Sequence, residues 1–131
     1  MKPATALPLF AALALTACET APAPGLGWSR APDLSVYSAM LMYADIGRQR
    51  SVLCGGNDTN WVERNWQRDF GARAGAIESA LVARHGEDAV DEAEAAAVPT
   101  RRLGCEDAYI LHWRDNYERL LRLLETRLGL A

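Results

Sequence analysis

The twenty residues from Val62 to Leu81, VERNWQRDFGARAGAIESAL, decide the fold. Their apolar positions Val62, Trp66, Phe70, Ala74, Ile77 and Leu81 recur at steps of four, four, four, three and four. That is the period of a helix with one buried face, and it excludes the two-residue alternation of a half-buried strand. Just upstream, Asn60-Trp61-Val62-Glu63 has the form of a capping box, and Gly86 after His85 supplies a stop.

The same period governs the flanking segments. Leu34 to Leu53 reads as an earlier helix with Tyr37, Met40, Leu41 and Ala44 on its core stripe, Asp33 after Pro32 as N-cap, and Gly55 and Gly56 as its stop. Glu87 to Val98 is a weaker, alanine-rich helix ended by Pro99. Glu106 to Leu128 is the last helix, burying Tyr109, Trp113, Tyr117, Leu120, Leu121, Leu124 and Leu128. Its other face offers Asp115 with Arg119 and Glu118 with Arg122 at i,i+4. No stretch alternates convincingly, so the expected fold is all-α, a small up-down four-helix bundle over residues 33–131. Gly71 and Gly75 lie one turn apart in the second helix, where each costs up to ~1 kcal/mol relative to alanine. They predict a close approach there by the first or last helix, or by a partner's helix.

Composition sets the outer limits. Half of the 131 residues are apolar and 24% are charged, which suits one modest globular domain. A disordered tail, a collagenous repeat and a polytopic membrane protein are excluded, since no run approaches ~20 consecutive apolar residues.

The first residues read as targeting information. Lys2 supplies positive charge, Leu7 to Leu15 is almost wholly apolar, and Leu15-Thr16-Ala17-Cys18 follows. This order resembles the leader of bacterial lipoproteins, whose lipobox places a small residue before a cysteine that is acylated and becomes the first residue. The resemblance implies a signal peptide over 1–17, lipidation at Cys18 and, with Glu19 rather than aspartate next, an outer-membrane location facing the periplasm. The competing reading is an ordinary secretory leader cleaved after Ala17. Three acyl chains exceed the two signals that stable anchoring requires, at ~0.8 kcal/mol per buried methylene. Residues 18–32 then form the lipidated cysteine and a tether rich in Pro, Ala and Gly, whose stretch from Glu19 to Pro32 reaches ~45 to 50 Å at full extension. Trp28, its one large apolar residue, either docks on the domain or sits at the membrane interface.

Beyond Ala17 there are thirteen arginines, no lysine and seventeen acids, a net charge of −4. Such a chain has no field to attract nucleic acid or anionic headgroups, so the membrane is held through the lipid alone. In an oxidising compartment Cys54 and Cys105 are expected to pair. The helix lengths bring the end of the first helix to the start of the last. Closing that loop stabilises by ~4 kcal/mol in the chain-entropy model. Metal ligation by two cysteines is the alternative.

Chemistry-bearing patterns are few. His85 and His112 lie on different helices without a His-Glu-x-x-His spacing, and His112 has only Asp115 at i,i+3. The chain has no phosphate-cradling glycine loop and no Gly-x-Ser-x-Gly elbow, so no enzyme, cofactor or metal is expected. Glu87, Asp88, Asp91, Glu92 and Glu94 form a solvated helix face, a surface for a basic partner, or a weak calcium site that lacks the calcium-loop spacing. Tyr37, Tyr43, Trp66, Phe70, Trp113 and Tyr117 belong to helical stripes, whereas Trp61 stands beside one and could line a groove for a partner's amphipathic helix. The working surface is therefore expected at the disulfide end, around Trp61, Gly55, Gly56, Asp88, Asp91 and Glu92.

A lipidated cysteine, a Pro/Ala tether, four helices and a first-to-last-helix disulfide resemble, in layout, the small helical pilotins of type II secretion. Those dock a terminal segment of a secretin and carry it to the outer membrane. The resemblance implies a lipid-anchored interaction or assembly module of the cell envelope with an envelope protein as partner. The other reading is an envelope enzyme or small-ligand-binding bundle using His112 or the groove.

Overall fold

The computed structural model describes residues 27–54, 64–97, 104–106 and 112–131, the side chains of 51–53 apart. It is a disulfide-stapled four-helix bundle with no strand among the described residues. Helix α1 is Asp33–Leu53. Helix α2 covers residues 64–85, with a π turn at Gln67–Gly71 leading into the regular stretch Ala72–His85. Helix α3 is Glu87–Ala95 and α4 is Trp113–Arg127. A short 3-10 turn, Trp28–Arg30, precedes α1.

Two fasteners set the topology. Cys54, just past α1, is bonded to Cys105, ahead of α4, and Arg127 at the end of α4 bonds to Asp33 at the start of α1. The first and last helices therefore run antiparallel, and their contact is the most extensive in the bundle. Helix α2 runs alongside α4 in the same direction, with Asp69 meeting Arg114 and Arg73 meeting Glu125, and α3 returns against α1 and α2.

The core is aliphatic toward the Arg127 end and aromatic toward the disulfide. Helix α1 buries Val36, Tyr37, Met40, Tyr43, Ala44 and Ile46, a face wider than the expected stripe because it meets both α3 and α4; Leu41 sits at its margin. Helix α4 buries Tyr117, Leu120, Leu121, Leu124 and Leu128, as its spacing predicts. Each such leucine contributes ~1.5–3 kcal/mol of transfer free energy. Helix α3 adds Val90, leaving Glu87, Asp88, Asp91 and Glu92 in solvent and Glu94 half-buried.

The stripe of α2 holds, with Phe70, Ile77 and Leu81 buried and Trp66 and Ala74 packed at its edge. Consecutive steps of four in a 3.6-residue helix drift by about 40° each. The π turn at Gln67–Gly71 takes an extra residue into one turn and absorbs that drift, which keeps Trp66 and Phe70 on the face that Ile77 and Leu81 share.

The helix ends differ from expectation in three places. Asp33 is not the N-cap of α1: Pro32 takes that position in extended conformation, and the Asp33 carboxylate inside the first turn accepts from Arg127. Glu106 lies in a turn and α4 starts only at Trp113, with His112 as N-cap. Helix α3 ends at Ala95, ahead of Val98 and Pro99, which lie outside the described residues. At its other end α4 closes in a Schellman motif, where the N–H groups of Gly129 and Leu130 donate to the carbonyls of Thr126 and Glu125. Gly86, at φ 89°, makes the break between α2 and α3 that a side chain would strain.

Two further expectations are corrected. The close approach expected at Gly71 and Gly75 does not occur: a Cβ at Gly75 would meet nothing within 4 Å, and one at Gly71 would meet only the flexible side chain of Gln67. Residues 27–32, read as tether, are folded onto the bundle, because Trp28 packs against the core and Arg127 bonds to the carbonyls of Trp28, Ser29 and Ala31.

Candidate functional site

Along α4, the first two turns face α2 with aromatic rings. Trp66 of α2 stacks on Trp113 at 5.9 Å between centroids and meets Tyr117 edge-on at 4.1 Å; Phe70 joins both Trp66 and Tyr117 at 5.0 Å. Ring pairs in such tilted and offset geometries contribute ~0.5–1.5 kcal/mol beyond their area burial. Tyr117 is fully enclosed, and that burial holds its phenol well above the usual tyrosine range, in part offset by the positive charges of Arg73 and Arg48. Trp66 and Trp113 are half-buried, so the cluster reaches the surface between α2 and α4.

Charged groups rim this opening. The Arg114 guanidinium lies 5.4 Å from the Phe70 centroid and bonds to Asp69 at 3.1 Å. Asp69 also accepts from Arg68 at 2.8 Å, and this bond, with help from Arg114, holds its carboxyl below the usual carboxylate range. Planar guanidinium over planar rings is a surface suited to flat or apolar side chains with an acidic neighbour. One turn further, Arg73 clasps Glu125 through both oxygens at 3.0 and 2.5 Å, and Arg73 lowers the Glu125 carboxyl in turn.

The disulfide closes the same half of the molecule. Cys54 caps α1, its N–H donating to Arg50 at 2.8 Å, and its Cα lies 5.6 Å from that of Cys105. Cys105 is exposed and Cys54 half-buried. No family model, curated protein or solved structure matches this chain.

Of the residues expected to bind a partner, Trp61, Gly55 and Gly56 lie outside the described residues, as does the lipidation candidate Cys18. Asp88, Asp91 and Glu92 are exposed on α3, but they do not belong to the disulfide end. Glu94, near the end of the same helix, accepts from the Tyr37 hydroxyl at 3.1 Å. Tyr37 precedes Cys54 by seventeen residues, about 26 Å along α1. The acids misled because α3 follows directly on the far end of α2, which the turn at Gly86 places away from the disulfide. His85 ends α2 and His112 caps α4, so the two sit at opposite ends of the bundle, and no hydrogen bond joins His112 to Asp115 among the described residues. Nor do any three metal-ligating side chains cluster among those residues. No described helix is long and apolar enough to cross a membrane.

Two features escaped the sequence reading. Arg127 serves residues 28–33, and its only signal was a basic residue in a last helical turn, common on any helix. Gly47 was the other, a mid-helix glycine whose cost relative to alanine calls for a close neighbour.

Proposed function

We propose that this chain is a lipid-anchored interaction module of the bacterial cell envelope, held by acyl chains on Cys18 in the outer membrane and facing the periplasm. In its sharpest form it docks and delivers a segment of another envelope protein, as pilotins do. The observation that carries this reading is where the chain enters the bundle. Residues 27–32 are clamped by Arg127 at the end opposite Cys54–Cys105. An anchor acting through them leaves the disulfide half, with Trp66, Trp113 and the Arg68–Asp69–Arg114 rim, pointing away from the membrane. Residues 19–26, ahead of that clamp, can span at most about 28 Å, against the ~45 to 50 Å of the whole stretch from Glu19 to Pro32. A short stand-off and a distal recognition face suit a carrier whose cargo stays close to the membrane.

The test has two arms. Cys18→Ala in the full chain should leave the protein unprocessed or released from membranes, and unchanged retention in the detergent phase overturns the anchor. A photocrosslinker at Arg68 or Arg114 should capture an envelope protein through a terminal segment, whereas one at Arg84 should not. Equal capture from both ends removes the distal face, and a metal or small ligand that copurifies stoichiometrically replaces the module by an enzyme or ligand-binding bundle.

A further inference from the structure

Residues 27–32 cross the end of the bundle as a strap, and almost everything polar that holds them there is one side chain. The two terminal nitrogens of Arg127 reach Ala31 O at 2.6 Å, Ser29 O at 2.6 Å, Trp28 O at 3.0 Å and the Asp33 carboxylate at 3.1 Å. The strap's own backbone bonds are local, from Arg30 N to Gly27 O and from Ala31 N to Trp28 O, each 3.1 Å. Trp28 packs against the core, yet its indole N–H is shielded from solvent without an acceptor among the described residues, which weakens the docked state. Only the last strap residue, Pro32, belongs to the start of α1: its carbonyl accepts from Ser35 and Val36, so residues 27–31 can leave without costing the helix those bonds.

We propose that residues 27–31 are a latch: Arg127 holds them docked, and their release lengthens the connection to the preceding chain while Pro32 and the four helices stay in place. Five freed residues add about 17 Å of reach. The release frees Trp28 to regain a partner for its indole N–H and leaves Arg127 with Asp33. The connection is thus a two-length device whose short state is set by a side chain from the far end of the sequence. The inference does not require that the preceding chain be lipidated.

Native-state hydrogen exchange of the full chain over a series of sub-denaturing urea concentrations tests it, comparing the Ala31 amide with that of Leu121 in the core. The latch requires Ala31 to exchange through a local opening nearly insensitive to urea while Leu121 follows global unfolding. Arg127→Gln should raise exchange at Ala31 about tenfold while leaving its opening nearly insensitive to urea, since it removes charge-assisted bonds to three carbonyls of the docked state. If Ala31 shares the urea dependence of Leu121 in the unmodified protein, the strap is part of the cooperative core and the latch is overturned. It is equally overturned if Arg127→Gln leaves Ala31 unchanged. Should Arg127→Gln fail to fold, the urea series on the unmodified chain still decides.

Discussion

The indole of Trp113 rests on the backbone of α1 at Gly47, where a Cβ would stand 2.7 Å from two ring atoms and 2.8 Å from a third. That contact places the first residue of α4 against α1 and lets Trp113 stack on Trp66, so a missing side chain in one helix fixes the aromatic cluster between two others.

Gly47→Ala should therefore destabilise the protein, against helix propensity. Alanine gains ~1 kcal/mol in a helix interior, but a methyl driven into a rigid indole costs ~1–3 kcal/mol, leaving a net loss of about 1 kcal/mol. Gly75→Ala, with nothing within 4 Å, should instead gain ~0.5–1 kcal/mol. Thermal unfolding of the pair checks both signs, and stabilisation by Gly47→Ala would remove the contact.

Breaking the Cys54–Cys105 bond, which spans 51 residues, should cost about 4 kcal/mol in the chain-entropy model. Urea unfolding of the protein with and without reductant gives the figure. The double variant Cys54→Ser with Cys105→Ser should match the reduced protein and ignore reductant.

Acid should weaken the bundle partly through Glu125. Its carboxyl is held low by Arg73, so its contribution is present above the unfolded value of about 4.3 and is lost as pH falls through the folded value. Glu125→Gln should cost about 1 kcal/mol at pH 7 and close to nothing well below both values. A difference that persists at pH 2 would mean that packing, not charge, was removed.

Alkali acts through the buried tyrosines. Burial raises the Tyr37 phenol, aided by the negative charges of Glu94 and Glu78, and raises the Tyr117 phenol. Groups whose folded values are raised contribute stability in full below the unfolded value of about 10 and lose it as pH climbs beyond. Absorbance titration near 295 nm should show these two phenols ionising only as the helical signal is lost. Early ionisation of both in a folded protein would contradict their enclosure.

The helical architecture was legible because Val62 to Leu81 and the leucines of α4 repeat at helical spacing, and the stapling because Cys54 and Cys105 are the two cysteines beyond the leader and the helix lengths bring their segments together. What the sequence could not supply was relative placement. The acids of α3 were assigned to the wrong end because charge clustering along the chain says nothing about where a 13 Å helix lies in space. Gly71 and Gly75 were read as contact glycines while Gly47 was overlooked, since a glycine's cost is local but its neighbour is not. The strap failed for a related reason: Pro and Gly argue against regular structure, not against docking, and the residue that docks it lies 96 to 99 positions away.

The pairing of α1 with α4 governs the order in which this molecule can come together. Val36, Met40 and Tyr43 find much of their cover in α4, which is synthesised after the other three helices. A nascent chain lacking α4 leaves much of that apolar face without its native partner, so cooperative folding waits for α4. Its decisive contacts also close long stretches of chain, which slows a helical protein relative to bundles built from neighbouring hairpins. Such a bundle stays open until α4 is made, a temporal property written into which two helices touch.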